Sequence, residues 1–187
     1  MEEFFEMLNS IHPLSEELKG HLSSVLKTIT IKKKDFLLFE GQICKNICYI
    51  QKGLIRCFYN MNSEEVCSWF MTERNLIISV ESFFSQKPSY ESIQALEDCV
   101  LFCLNYDELQ YIYKTYPELN FIARILTEKY YILSEQRLYS IRKKRAGERY
   151  KFLRDNFPEL IQRVPSKYLS SYLSVSEETL SRIKSKI

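Results

Sequence analysis

The six cysteines are the residues of this sequence with the most obvious capacity for chemistry. Cys44 and Cys48 are four residues apart, as are Cys99 and Cys103, and closely spaced thiolates can bind zinc or exchange disulfides. Two such pairs are what structural zinc sites usually show, but these cysteines lie among Ile, Val, Leu and Tyr in segments with a strand pattern. We therefore expect all six to be reduced, buried core residues, with a metal or redox role as the alternative.

Catalytic side chains do not form a recognisable constellation in this chain. Residues 28–105 contain no histidine, although enzymes built on jelly-roll barrels commonly bind a metal through histidines. We find no nucleophile–base motif and no Gly-rich phosphate loop either. The sequence thus predicts no catalytic residue, no metal ion, no cofactor and no enzymatic activity.

The C-terminal stretch carries side chains suited to contacting DNA. Arginine can bind guanine through two hydrogen bonds and glutamate can accept one from the amino group of cytosine, which gives Arg182 and Glu178 base-reading roles. The predicted DNA contacts are Arg182, Glu178, Glu177, Ser176, Thr179, Ser181, Lys167 and Lys184. Residues 142–187 hold 12 basic and 5 acidic residues, a net charge of +7, whereas residues 1–141 have a net charge of −5. This asymmetry indicates a polyanionic partner for the C-terminal quarter.

Two short helices joined by a tight turn are predicted to hold these side chains. Their apolar positions repeat at intervals of three and four residues: Leu169, Tyr172, Leu173, Leu180, Ile183 and Ile187. Residues 174–176 break the pattern, Ser176 is suited to cap the second helix, and Glu177 and Glu178 favour its positive end. This is the pattern of a helix-turn-helix; a hairpin that only packs on the rest of the chain is the alternative.

The upstream segments would position this pair of helices. Residues 1–26 have helical periodicity, and residues 28–105 contain many short strand-like segments, typical of a barrel or jelly roll, with a short helix near residues 80–84. A long helix follows from Pro117 to about residue 145. Its apolar line predicts dimer contacts by Ile122, Ile125, Leu126, Ile132 and Leu133, although packing on its own barrel would also explain it.

Gly147 follows a basic run and marks the expected hinge. We therefore divide the chain into residues 1–116, 117–146 and 147–187. The N-terminus, MEEFFEMLNS, is acidic and unlike a signal peptide, and no apolar run approaches the ~20 residues that span a bilayer. The sequence predicts a cytoplasmic protein without a membrane partner.

In this order of elements, the sequence resembles the Crp/Fnr family of bacterial transcription regulators. The stretch FEGQICKNICYIQKGLIRCFY is similar to the family's barrel signature, with Gly41 and Gly53 at its turns, and VSEETLSRIKSKI is similar to its recognition helix. The resemblance implies an α+β fold: an N-terminal jelly-roll or β-roll barrel of the cyclic-nucleotide-binding kind, a long dimerisation helix and a small all-α helix-turn-helix domain. It implies a homodimer that binds double-stranded DNA, with an unidentified small-molecule effector and RNA polymerase as further partners.

The sequence departs from the family pattern at both functional ends. The arginine that grips a cyclic phosphate is replaced by Ser89, followed by Tyr90 and Glu91, and the glycine before Glu81 is absent. A buried phosphate needs a charged partner, so we expect a degenerate effector pocket that does not bind cAMP. At the DNA end, Glu177 stands where a base-reading arginine is expected and no β-hairpin wing follows. A ligand- or protein-binding sensor whose C-terminal hairpin is an interaction element is the alternative function.

Overall fold

The computed structural model describes residues 1–186 as two antiparallel sheets with helices before and after them. The elements in chain order are α1 (Glu2–Asn9), α2 (Glu16–Val25), β1 (Lys27–Ile31), β2 (Phe36–Leu38), β3 (Asn46–Lys52), β4 (Ile55–Met61), β5 (Glu64–Met71), β6 (Leu76–Ile77), α3 (Val80–Ser85), β7 (Ser92–Ala95), β8 (Cys99–Asn105), α4 (Tyr106–Thr115), α5 (Pro117–Lys143), α6 (Ala146–Asn156), α7 (Pro158–Arg163), α8 (Ser166–Tyr172) and α9 (Glu177–Lys184). The predicted fold class is confirmed: an antiparallel β-sandwich is followed by a long helix and a group of short helices.

The two sheets combine strands that are distant in the chain. The first sheet has the order β1-β8-β3-β6 and the second has the order β2-β7-β4-β5. Gly53 joins β3 to β4 with a φ of +108°, and a Cβ placed there would lie 2.4 Å from the Cys99 Sγ and 2.9 Å from the Asp98 carbonyl oxygen. Only glycine fits this turn, because the left-handed backbone and the close approach both exclude a side chain.

The β4–β5 hairpin contains an irregularity that shapes the cavity wall. Its turn residues, Asn62 and Ser63, both have positive φ, which matches the right-handed twist of the flanking strands. Cys57 pairs with Trp69 and the next residue, Phe58, pairs with Cys67, which leaves Ser68 as the extra residue of a β-bulge. Consecutive residues Ser68 and Trp69 therefore both line the internal cavity.

The first part of the long helix α5 packs on the core of the chain, and its later part is mostly exposed to solvent. It starts at Pro117, and Leu119 and Ile122 near its beginning are buried in the main hydrophobic core. Ile122 is completely buried, so it packs within its own subunit and cannot make the dimer contact predicted for it. Leu126 is partly buried against the same core, whereas Ile132 is 55% exposed.

The cysteines depart from the sequence prediction at one pair. Cys48 on β3 lies opposite Cys103 on β8 with 4.0 Å between their Cα atoms, and a disulfide joins them. The expectation that all six cysteines are reduced is therefore wrong for this pair, because adjacent antiparallel strands bring together residues 55 positions apart. The other four, Cys44, Cys57, Cys67 and Cys99, are free and buried, as expected for small apolar core residues.

The helices α6–α9 form a small C-terminal unit that packs on the outer face of the second sheet. The shared apolar cluster includes Tyr150, Leu153, Leu160, Leu169, Leu173 and Leu180 from the unit and Leu54, Phe58, Cys67, Phe70 and Leu96 from the sheet side. Gly147, the predicted hinge, lies in the first turn of α6, and Ile187 lies outside the described residues. Over residues 1–186, no helix has both the length and the apolar character required to cross a membrane.

Candidate nucleic-acid interface and internal cavity

Helices α8 and α9 meet across the short turn Leu173–Ser176. Ser174 adopts a left-handed conformation with a φ of +53°, and the Val175 N–H donates to the Ser170 carbonyl oxygen at 3.0 Å. The Ser176 hydroxyl oxygen accepts from the Thr179 N–H at 3.2 Å, which confirms Ser176 as the N-cap of α9. This turn fixes the direction in which α9 leaves α8.

The outer face of α9 points into solvent. The Glu178 and Arg182 side chains are 83% and 74% exposed, and their charged groups approach to 3.6 Å. An exposed pair at this spacing contributes only a few tenths of a kcal/mol, so either group can exchange its partner at little cost. Glu177 and Ser181 are also exposed, whereas Leu180 on the inner face is buried.

The predicted phosphate contacts lie around the same helix. Lys167 on α8 is exposed, and the Lys184 Nζ donates to the Ser166 hydroxyl at 3.1 Å, which links the end of α9 to the start of α8. Thr179 is half-buried, and its hydroxyl oxygen accepts from the Ser176 hydroxyl at 3.0 Å. The structure thus brings all eight predicted DNA contacts together on α8, α9 and the turn.

Two arginines outside the pair of helices hold the turn in place. The Arg149 guanidinium on α6 donates to the carbonyl oxygens of Lys144 at 2.7 Å and Leu173 at 2.9 Å. Arg137 on α5 donates to the Tyr172 carbonyl oxygen, and its guanidinium carbon lies 3.5 Å from the centre of the Tyr172 ring. Neither role could be predicted from the sequence, because the carbonyl oxygens of Leu173 and Tyr172 lie 24 and 35 residues further along the chain than these arginines.

Helix α8 also contacts β5, the edge strand of the second sheet. The Ser171 hydroxyl oxygen accepts from the Cys67 N–H at 2.9 Å, and the hydroxyl donates to the Glu65 carbonyl oxygen at 3.0 Å. Tyr168 stacks on the buried Arg56, with 3.8 Å from the guanidinium carbon to the ring centre. The Ser171 contacts satisfy one N–H and one carbonyl oxygen of a sheet edge that would otherwise be open.

An ion-pair cluster secures the other end of the same interface. Arg163 on α7 donates to both carboxylate oxygens of Glu73 at 2.8 Å and to both of Glu97 at 2.6 and 3.0 Å. The hydrogen bonds from Arg163 lower the pKa of Glu73 to about 2, because they favour the ionised carboxylate. The C-terminal unit is therefore attached to the sheet by charge as well as by apolar packing.

An apolar cavity of about 470 Å³ is lined by both sheets and by helices α1–α5, and it is open on the side where Val80, Phe84 and Tyr131 are more than half exposed. Its wall combines aromatic and aliphatic side chains with a few polar groups, of which Ser68, Tyr90 and Glu91 are near the second sheet. Among the lining residues that the structure describes, Glu91 carries the only charged side chain. A largely apolar cavity with few polar groups is the usual form of a small-molecule site.

The structure separates the four predicted effector-pocket residues. Tyr90 and Glu91 line the cavity, whereas Glu81 is an exposed residue of α3 outside its wall. Ser89 is buried and serves the local backbone: its hydroxyl donates to the Glu91 carbonyl oxygen at 2.7 Å and accepts from the Glu91 N–H at 3.1 Å. The sequence signal that remains useful is the replacement of an arginine by this serine.

Comparison with known proteins places this fold among bacterial regulators. Residues 28–116 match the sequence profile of the cyclic nucleotide-binding domain. CLP, the c-di-GMP-responsive global regulator of Xanthomonas campestris, has a TM-score of 0.73 at 13% identity, with 92% of this chain and 91% of CLP covered. A protein from Eubacterium rectale described as a Crp/Fnr-family transcriptional regulator has a TM-score of 0.74 at 15% identity, with 97% and 85% covered. No curated protein sequence matches the chain significantly.

CooA from Carboxydothermus hydrogenoformans, in a mutant form, is similar over 98% of this chain and 83% of its own, with a TM-score of 0.72 at 17% identity. Residues 28–116 therefore resemble a cyclic nucleotide-binding domain, and the chain as a whole shares its fold with the Crp/Fnr-type regulators to which it is similar.

Proposed function

We propose that this protein is a sequence-specific DNA-binding regulator that acts as a homodimer. The observation that carries the proposal is the exposed outer face of α9, held outward by a buried inner face, in a C-terminal quarter with a net charge of +7. A helix-turn-helix places its second helix in the major groove, with the N-terminal residues of that helix at base edges. An α-helix with its side chains is about 10–12 Å across, which suits the ~12 Å width of that groove.

The contacts divide into base reading and positioning. Arg182 donates two hydrogen bonds to a guanine, and Glu178 accepts one from a cytosine amino group. Glu177 and Ser181 lie beside them on the same exposed face. Ser176, Thr179, Lys167 and Lys184 face the phosphates and position the helix without reading the sequence.

A second copy of the chain is the proposed occupant of the exposed apolar face of α5. Ile125, Ile132 and Tyr139 follow one another at intervals of seven residues, the spacing of a coiled-coil seam. Ile132 and Tyr139 are 55% and 60% exposed, and Leu133 is half-buried beside them. Because Ile122 and Leu126 pack on the chain's own core, the contact begins one turn later than the sequence suggested.

The sensor domain does not use cAMP in this proposal. The cavity wall has an acidic group where a cyclic phosphate would need a basic one, so the two negative charges would repel each other. Titration with cAMP should leave both the fluorescence of the protein and its affinity for DNA unchanged.

Selection of bound sequences from a random double-stranded DNA pool tests the proposed function. We expect a palindromic consensus whose half-sites lie about one helical turn apart, since a two-fold dimer presents two copies of α9. An affinity that is equal for all sequences would reject DNA reading. It would favour instead a sensor module whose C-terminal helices serve an intramolecular or protein contact, as the packing of α8 on β5 already does in part.

A further inference from the structure

The internal cavity contains one buried charged group for which the chain provides no countercharge. Glu91 is 6% exposed and lines the cavity. Its carboxylate accepts a long hydrogen bond, 3.3 Å, from the Ser68 hydroxyl. No lysine, arginine or histidine belongs to the described wall. An ionised carboxylate in such surroundings is costly unless a partner compensates it.

The electrostatics of the site agree with this geometry. Burial raises the pKa of Glu91, and hydrogen bonds from Ser79 and Ser68 oppose that effect only in part. Arg56, the other buried charged side chain among the described residues, is 1% exposed and has Glu65 and Gln94 as hydrogen-bond partners. Glu91 differs because no basic side chain lies in the described cavity wall. A compensating positive charge would have to come from a ligand in the cavity.

We propose that the cavity binds an amphipathic amine, with its ammonium group at the Glu91 carboxylate and an aromatic or aliphatic skeleton along the apolar wall. This inference rests on the proposed function only where it calls the ligand an effector. Binding of the amine itself does not require DNA. Ser68 supports the pairing, since the bulge in β5 directs its hydroxyl to the same carboxylate.

Neighbouring aromatic rings add a second reason for a cation. Tyr90 and Trp69 both line the cavity, and the negative faces of such rings attract ammonium groups. The volume of about 470 Å³ lies within the usual range for small-molecule sites. An anionic ligand would meet the carboxylate without a cation, and a neutral one would leave the charge uncompensated.

Trp69 makes the test direct, because it is the single tryptophan of the sequence and it lines the cavity. Its fluorescence is titrated with three probes of nearly equal size: 4-phenylbutylamine, 4-phenylbutanol and 4-phenylbutanoate. We expect the amine to bind at least about tenfold more tightly than the alcohol, and the anion to bind most weakly. Equal affinities of the amine and the alcohol would overturn the proposal.

Two variants locate the charge effect. Glu91→Gln keeps the shape of the side chain and should remove most of the amine's advantage while leaving the affinity for the alcohol unchanged. Glu64→Gln, an exposed carboxylate at the hairpin end, is the matched control and should bind all three probes like the wild type. An amine affinity that survives Glu91→Gln would contradict the assignment.

Gel shifts with a selected DNA sequence, with and without the amine, separate this inference from the proposed function. Amine binding without any specific DNA binding would retain the ligand site and reject the regulator. Specific DNA binding combined with equal affinities for the amine and the alcohol would retain the regulator and reject the ligand site. A change in DNA affinity at saturating amine would identify the ligand as an effector.

Discussion

At the scale of single residues, this protein uses arginine in two different ways. Arg182 is 74% exposed and has one weak ionic partner, so its guanidinium is available to an incoming ligand. Arg56 is buried, and it is held by Glu65, Gln94 and the ring of Tyr168. The first arrangement suits recognition, as the sequence predicted for Arg182. The second suits structure, and nothing in the sequence around Arg56 indicated it.

Replacement of Arg182 by alanine should weaken DNA binding at one base position in each half-site. The expected loss is ~1–3 kcal/mol with the preferred base and little with the others, because alanine removes a two-bond contact to guanine. Fluorescence anisotropy with a set of base-substituted sites measures the effect.

Lys167→Ala provides the contrast for that prediction. Loss of this phosphate contact should weaken DNA binding by a similar factor at every site and reduce the salt dependence of the affinity. If Arg182→Ala also weakened all sites equally, Arg182 would be a positioning residue and the base reading would lie elsewhere on α9.

At the scale of elements, local signals in the sequence were sufficient where an element is determined by its own residues. The start of α5 at Pro117 and the cap of α9 at Ser176 were both predicted, because proline and serine act on the backbone next to them. Ile122 and the Cys48–Cys103 pair were not, since their environment depends on elements far away in the chain. Periodicity identifies an apolar face but not what covers it.

The turn between β3 and β4 should not tolerate a side chain. Gly53→Ala is expected to lower the free energy of unfolding by about 2 kcal/mol or more, because the new Cβ meets Cys99 and the backbone is left-handed. Gly20→Ala, in the open surroundings of α2, should raise it by about 0.5–1 kcal/mol. Urea denaturation of both variants tests the contrast, and equal effects would contradict it.

The exposed face of α5 should control the oligomeric state. Ile132→Glu places a charge in the proposed seam and should convert the dimer to a monomer, as measured by light scattering across a concentration series. Lys129→Glu introduces the same residue at an exposed polar position of this helix and should leave the dimer intact. A dimer that persists in Ile132→Glu would place the contact on another surface.

At the scale of the whole molecule, the two faces of the second sheet have different neighbours, the cavity and the C-terminal unit. Cys57, Ser68 and Trp69 face the cavity, whereas Phe58, Cys67 and Phe70 face the C-terminal unit. The sequence did not predict this arrangement, because apolar helix faces in the C-terminal unit are compatible with many partners. The sequence also could not distinguish Glu81 from Glu91, because only the fold shows that Glu91 is buried and Glu81 is exposed.

The attachment of the C-terminal unit should weaken in acid. The pKa of Glu73 is held at about 2, below its ordinary 4.5, so its ion pair with Arg163 stabilises the fold fully above pH 4.5. That contribution is lost as the pH falls towards 2. The difference in unfolding free energy between wild type and Glu73→Gln, ~1–2 kcal/mol for this partly exposed group, should therefore shrink between pH 6 and pH 3.

Urea denaturation at several pH values measures that difference. Glu64→Gln, which changes an exposed carboxylate outside the interface, should show no comparable trend. A constant difference between wild type and Glu73→Gln across this range would mean that the ion pair adds nothing to the attachment.

The bulge at Ser68 has a consequence for how the cavity wall can change over evolution. Since Ser68 is one extra residue between two regular stretches of β5, its deletion restores ordinary pairing without turning any other side chain to the opposite face. The hydroxyl that contacts Glu91 can thus be gained or lost in a single insertion or deletion. Ligand preference could diverge among relatives in this way while Cys67 and Phe70 continue to hold the C-terminal unit in place.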